Sequence, residues 1–344
     1  MGNLAKTYRI IADILATESN ESSLAIEFSN PNFDWDNIVV KGSQQVVLPA
    51  ICCRLKEKEL LSYLPEQLQN YLEYITTINR NRNITLLRQI KSISQILNQN
   101  SIEHVFLKGA ALLASGCYKD NAERMVGDID ILVKKNQVLE AFDLLKNNGY
   151  NKTSGFAYDN KDFRHLDRLI SEKELAAIEL HSELLENPNR DLIDLDSVFN
   201  SKKIVNNITI PNDYYINKHQ IIAWQTNNYG YYFRSISFKL FYDSIVLNAF
   251  SDKELISDLF ETKFGQGYLA TAKFYFQAFS SVNCNSFMES YTESHNNYVE
   301  KKIFRKVLKP AKYAYLNIKK RLILIANNVS YRKHILNLRF IFKK

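Results

Sequence analysis

The chain has 344 residues, 46% of them apolar and 24% charged, with a formal net charge of +7. This is the balance of an ordinary soluble globular protein with material for a sizeable core, and the length suggests two or three packed units. No run approaches the eighteen or so apolar residues of a membrane span, and Cys52, Cys53, Cys117 and Cys284 lack disulfide or zinc spacing, so they read as small buried residues in a reducing cytoplasm.

Residues 1–100 read as a helical region. The opening MGNLAKTYRI lacks the basic start and apolar core of a secretory signal, and Lys6 stands where a myristoylation pattern needs Ser or Thr. SNPNFDWD at 29–36 is a break rich in turn residues. Apolar positions then recur at three and four in LLSYLPEQLQNYLEYITTI and again in ITLLRQIKSISQILNQN, where Leu86, Leu87, Ile90, Ile93, Ile96 and Leu97 form a stripe.

Residues 101–200 alternate between strand and helix. HVFLKG, from His104, is a short apolar strand ending in Gly109, and AALLASGCY continues as a helix. MVGDIDILVKK at 125–135 is the next strand. It is followed by the amphipathic helix QVLEAFDLLKNNGY, with Val138, Ala141, Phe142 and Leu145 on one face and Gly149 as its C-cap. His165, in DFRHLDRLI, reads as a surface histidine. ELAAIELHSEL at 174–184 has a strand-like centre, Ile178 and Leu180 on one face, Glu179 and His181 on the other. The expected fold is α+β, a mixed β-sheet with helices, flanked by helical regions at both ends.

Residues 201–300 return mostly to helix, with aromatic stretches such as YGYYFRSISFKLFYDSIVLNAF. Residues 301–344 form a basic amphipathic tail with ten Lys, four Arg and no acid, which leaves 30 basic against 37 acidic groups in residues 1–300. Packing of the tail against the acidic remainder of its own chain is the plainest expectation; an anionic membrane surface, on the inner face, and RNA are the alternatives.

The anomaly is in MVGDIDILVKK. Period-2 alternation puts Asp128 and Asp130 on one face of an otherwise apolar strand. At about 6 Å and an effective dielectric near 20, two carboxylates repel by roughly 3 kcal/mol. A divalent cation removes the conflict. The strand running into Gly109 offers helix-start amides to an anion, Lys108 adds a positive charge, and Glu179 supplies a third carboxylate from another strand.

In order, LKGAALL (107–113), Tyr118, Arg124, GDIDILV (127–133), a helix ending GY (149–150) and IELH (178–181) resemble the uncharacterised bacterial branch of the polymerase-beta-like nucleotidyltransferase superfamily. The resemblance covers roughly residues 30 to 250 as pattern, with specific motifs from 104 to 182. It implies a polymerase-beta-like core and two Mg²⁺ ions held by Asp128, Asp130 and Glu179. An NTP would be bound by Lys108, the amides of Gly109 and Ala110, Arg124 and His181. Its NMP group would pass to a hydroxyl acceptor, whether protein, RNA, sugar or small molecule. Two departures point to a competing expectation, a degenerate module that binds nucleotide without turnover or serves as a scaffold at a membrane: Ala110 stands where many members have Ser, and the third acid is Glu rather than Asp.

Overall fold

The computed structural model describes residues 3–159, 163–301 and 303–337. The last seven residues of the basic tail and the first two of the chain lie outside that set.

Four short helices, α1 (Asn3–Leu15), α2 (Glu21–Phe28), α3 (Trp35–Gln44) and α4 (Leu48–Glu57), lead into α5 (Glu66–Gln99). At 34 residues α5 is about 50 Å long. The two amphipathic stretches expected here are therefore one helix. Leu86, Ile90, Ile93 and Leu97 of the anticipated stripe are fully buried, and Leu87 and Ile96 pack at its margin. The polar NRNRN between the stretches hides the continuity, because Asn79 and Asn83 are buried for a different reason: they grip another segment, described below.

The sheet follows. Its parts are β1 (His104–Phe106), α6 (Lys108–Ser115), β2 (Ile129–Val133), α7 (Val138–Asn147), β3 (Lys152–Ser154), β4 (Arg168–Ile170) and β5 (Ile178–His181). The strand order is β1-β2-β5-β4-β3, with β2 and β5 parallel and the remaining pairs antiparallel. This is the expected mixed sheet, with β3 and β4 added. Those two are three residues each, too short and too polar to show a period. Gly116 closes α6 at φ +69° and Gly149 follows α7 at φ +100°, the left-handed conformation that costs glycine least.

After α8 (Leu195–Asn200) comes a hairpin, β6 (Lys203–Val205) and β7 (Ile208–Ile210), in a stretch expected to be helical. Asn206 and Asn207 have φ of 51° and 65°, the two positive values of a type I′ turn, which Asn tolerates better than most residues. Then come α9 (Asp213–Thr226), α10 (Gly230–Phe233), α11 (Phe238–Val246), α12 (Lys253–Phe260), α13 (Lys263–Tyr275) and α14 (Ser286–Glu300), with α15 (Lys309–Asn327) and α16 (Val329–Leu336) in the basic tail. Apolar burial is continuous from Ile10 to Tyr291, and α1 packs on α13 and α14, so the helices before and after the sheet share a core. All four cysteines are free; Cys52 is buried as expected, but Cys284 is exposed.

Candidate functional site

The site is built on register. In the parallel pair Asp130 lies opposite Glu179 and Leu132 opposite His181. In the antiparallel pair Leu169 lies opposite Ile178, which sets Arg168 beside Glu179. Asp130, Glu179 and Arg168 thus form a row across three neighbouring strands, with His181 two positions along on the same face. Two acids some fifty residues apart in the chain meet because β2 and β5 are parallel neighbours.

Asp130, Glu179 and His181 are all buried. One ligand atom from each, taken together, lies within 4.8 Å of the other two. His181 Nε2 is 2.8 Å from Asp130 Oδ1 and 3.5 Å from Glu179 Oε2. Lys108 Nζ is 2.5 Å from Asp130 Oδ1. Arg168 donates from Nε to Glu179 Oε1 at 2.6 Å and from Nη2 to Asp128 Oδ2 at 2.9 Å. Asp128 itself sits one residue ahead of β2, less buried than Asp130, and joins the row through Arg168.

Charge explains the carboxyl equilibria. Burial alone would raise Asp130, but Lys108 and His181 outweigh it and hold this carboxyl far below the usual range. Glu179 is likewise held down, because hydrogen bonds from His181 and Arg168 and the nearby His165 overcome its burial. Asp128 goes the other way: burial, then the charges of Asp130 and Glu179, push it up despite Lys108 and Arg168.

Three supports come from elsewhere in the chain. Leu107 N donates to Asp130 O at 2.9 Å, which ties the start of α6 to β2 and brings Lys108 to Asp130. Lys108 has φ +49°, a left-handed conformation that costs a non-glycine residue of order 1 kcal/mol. Next to it, a Cβ on Gly109 would meet both methyls of Val126 at 3.0 Å, so glycine is needed for close packing there. The N-cap Leu107 offers no side-chain acceptor to the first-turn amides of α6, and Ala110 is wholly buried. Only its backbone can face a ligand.

The second support is α5. Asn79 Nδ2 donates to Ala122 O and Arg124 O at 2.7 and 3.1 Å, and Asn83 Nδ2 to Asn121 O and Arg124 O at 2.5 and 2.7 Å. Arg82 Nη2 reaches Val126 O and Gly127 O, both at 3.1 Å. These side chains hold the segment that delivers Asp128.

The third support is α11. Arg124 Nε lies 2.9 Å from Asp243 Oδ1, and Tyr118 OH donates to the same oxygen at 2.6 Å. Arg124 and Asp243 are both buried, so the guanidinium expected on a phosphate has a protein partner in this structure. One turn before Asp243, Lys239 lies on the same face of α11 and is half-buried. The charge of Arg124, then burial, lowers its ammonium to about 8, and Lys108 and Asp128 also act on it.

His165 departs from the surface role expected of it: it bridges to His181, their rings 5.1 Å apart, and its Nε2 is 3.5 Å from Glu179 Oε2. Sequence reading also missed Arg168 and Lys239. Neither carried a signal in the sequence, since β4 is only three residues long and RHLDRLI does not alternate.

A family model described as an uncharacterised nucleotidyltransferase matches residues 31–212, more than half of the chain. The chain belongs to this nucleotidyltransferase family. The matched span contains Lys108, Asp128, Asp130, Arg168, Glu179 and His181, the whole of the charged row, and ends before Lys239 and Asp243. No curated protein matches the chain. As a nucleotidyltransferase the enzyme handles an NTP, and the Asp130, Glu179 and His181 cluster could hold a metal ion.

Proposed function

We propose that the enzyme transfers an NMP group from an NTP to a hydroxyl-bearing acceptor by in-line displacement, with Asp128, Asp130 and Glu179 as ligands for two Mg²⁺ ions. The donor types fit: Mg²⁺ takes oxygen ligands, Asp130 and Glu179 each place a carboxylate oxygen in the buried cluster, within 4.8 Å of the other, and Arg168 ties the third carboxylate, Asp128, to Glu179. When bound, the ions would supply positive charge to the triphosphate and acidity to the acceptor hydroxyl.

The chain's own groups do the rest. Lys108 stands between the acid row and the uncapped amides of α6, so rotation of its side chain carries Nζ from Asp130 to a phosphate oxygen. Lys239, on α11, adds a second cation near Lys108 and Asp128. His181 fixes Asp130, and Arg168 fixes Asp128 relative to Glu179. The acceptor oxygen bonds to the α-phosphorus, the bond from that phosphorus to the β-phosphate bridge oxygen breaks, and pyrophosphate leaves toward Lys108. A carboxylate of the row takes the hydroxyl proton.

The observation that carries this reading is the Asp130 to Glu179 register with Asp128 bridged to it. The test is incubation with α-labelled NTPs, Mg²⁺ and a cell extract, comparing wild type with Asp128→Asn plus Asp130→Asn. Transfer by wild type alone is expected. Equal labelling in both would remove the catalytic role of the aspartates.

One observation favours a second reading, nucleotide binding without turnover: Arg168 and Lys108 already pair with all three acids. Calorimetry separates the two, since a sensor would bind NTP and release no pyrophosphate.

A further inference from the structure

Helix α15 shows solvent a row of side chains that nothing among the described residues covers. Ala311, Tyr315, Ile318, Leu322 and Ile325 recur at four, three, four and three, which aligns them on one face. Tyr315, Ile318 and Leu322 are 58%, 59% and 60% exposed and Ile325 is 40% exposed, while the helix has no fully buried residue. Its direction is nevertheless fixed. Lys320 Nζ lies 3.7 Å from Glu186 Oε2 and 4.9 Å from the Tyr229 ring centroid, and Lys312 Nζ 5.4 Å from that of Tyr232. Past its end, Asn328 Nδ2 donates to Asp159 O at 2.8 Å and Tyr158 packs on Tyr331 with centroids 4.8 Å apart. The helix is held by one side, and the apolar row is on the other.

The charges around the row select what covers it. Lys319 and Arg321 flank it on either side, in a segment with fourteen basic residues and no acid. Two copies packed row to row would crowd like charges together; an anionic surface would attract them. Crossing is not the answer, because no helix among the described residues is long and apolar enough to span a bilayer.

We propose that α15 lies in the plane of an anionic membrane, with Tyr315, Ile318, Leu322 and Ile325 inserted at the acyl boundary and Lys319, Arg321 and the rest of the basic segment on lipid phosphates. The attached catalytic sheet would then work beside the membrane surface. This inference rests on the surface alone and stands whether or not the proposed reaction does.

The test is sedimentation of the full-length protein with phosphatidylcholine vesicles and with mixed phosphatidylcholine and phosphatidylglycerol vesicles. Binding to the mixed vesicles only, weakened by salt, is the expected result. Ile318→Glu plus Leu322→Glu, and separately Lys319→Gln plus Arg321→Gln, are each expected to weaken it about tenfold or more with an unchanged melting temperature. The proposal is overturned by no binding, by equal binding to both vesicles, by wild-type binding of the glutamate variant, or by a wild-type dimer that the glutamate variant dissociates. The charge-neutral variant keeps the row apolar, so it decides the matter if the glutamate variant misfolds.

Discussion

Arg168 donates to Glu179 at 2.6 Å and, with the other end of the same guanidinium, to Asp128 at 2.9 Å. One monovalent cation therefore joins two of the three acids. Its side chain is half exposed, so the pair by itself contributes only about 1 kcal/mol. Removing it leaves three neighbouring carboxylates with Lys108 as their main counter-charge.

Arg168→Met should therefore melt about 2 °C or more below wild type without divalent cation and gain more stabilisation from Mg²⁺ than wild type gains. Thermal melts across an Mg²⁺ titration measure both. If the variant and wild type respond equally to Mg²⁺, the row is not a cation site.

Lys239 sits one turn from Asp243, on the face of α11 that meets the segment leading to Asp128. If it contacts the triphosphate, Lys239→Met raises KM for NTP about tenfold with little change in kcat, the mark of a lost ground-state contact. Its ammonium is lowered to about 8, so the wild-type KM should rise as pH climbs through 8, and the variant's should not. Parallel KM profiles for the two would exclude the contact.

The Arg124 and Asp243 ion pair is buried, and Tyr118 shares its acceptor. Breaking it strands a guanidinium in the core. Asp243→Ala is expected to cost about 3 kcal/mol or more, whereas Arg124→Met with Asp243→Leu should recover most of that loss, because neither charge then needs a partner. Urea denaturation of the two variants gives the comparison; if the double variant is as unstable as the single, packing rather than charge dominates.

His295 is buried with both nitrogens occupied: Nδ1 donates to Arg234 O at 2.6 Å, and Tyr275 OH donates to Nε2 at 2.9 Å. Burial lowers its pKa to about 4. The unfolded chain takes up this proton near 6.5 and the folded one does not, so the contribution is present above 6.5 and is lost as pH falls toward 4. The stability difference between wild type and His295→Gln should shrink by about 1.4 kcal/mol per pH unit over that window. A pH-independent difference in chemical denaturation would show that His295 titrates normally in the fold.

Much of the five-stranded sheet was legible because its strands carry short-range patterns. IELH alternates cleanly, GDIDILV announces a charged face, and Gly149 marks the end of α7. Two errors came from polar residues with unusual partners. NRNRN separates two stretches of apolar periodicity in the sequence, yet Asn79 and Asn83 sit in α5 and bond the carbonyls of 121, 122 and 124. Asn206-Asn207 lies where the sequence reading expects mostly helix, though a pair tolerant of positive φ between two short apolar runs is a hairpin signal.

The sequence by itself determined which residues could carry the chemistry: a spaced pair of aspartates, a lysine at a helix start, a glutamate in a later strand, and a tail with no acid. Only the tertiary structure decided how they meet. The parallel register of β2 and β5 put Asp130 against Glu179, the pairing of β4 with β5 and the His165 to His181 bridge brought Arg168 and His165 to them, and α11 supplied Asp243 as a partner for Arg124. The physical reason is that periodicity specifies a side chain's face within its own element, whereas the neighbour across a sheet depends on strand order and register, which long-range packing selects.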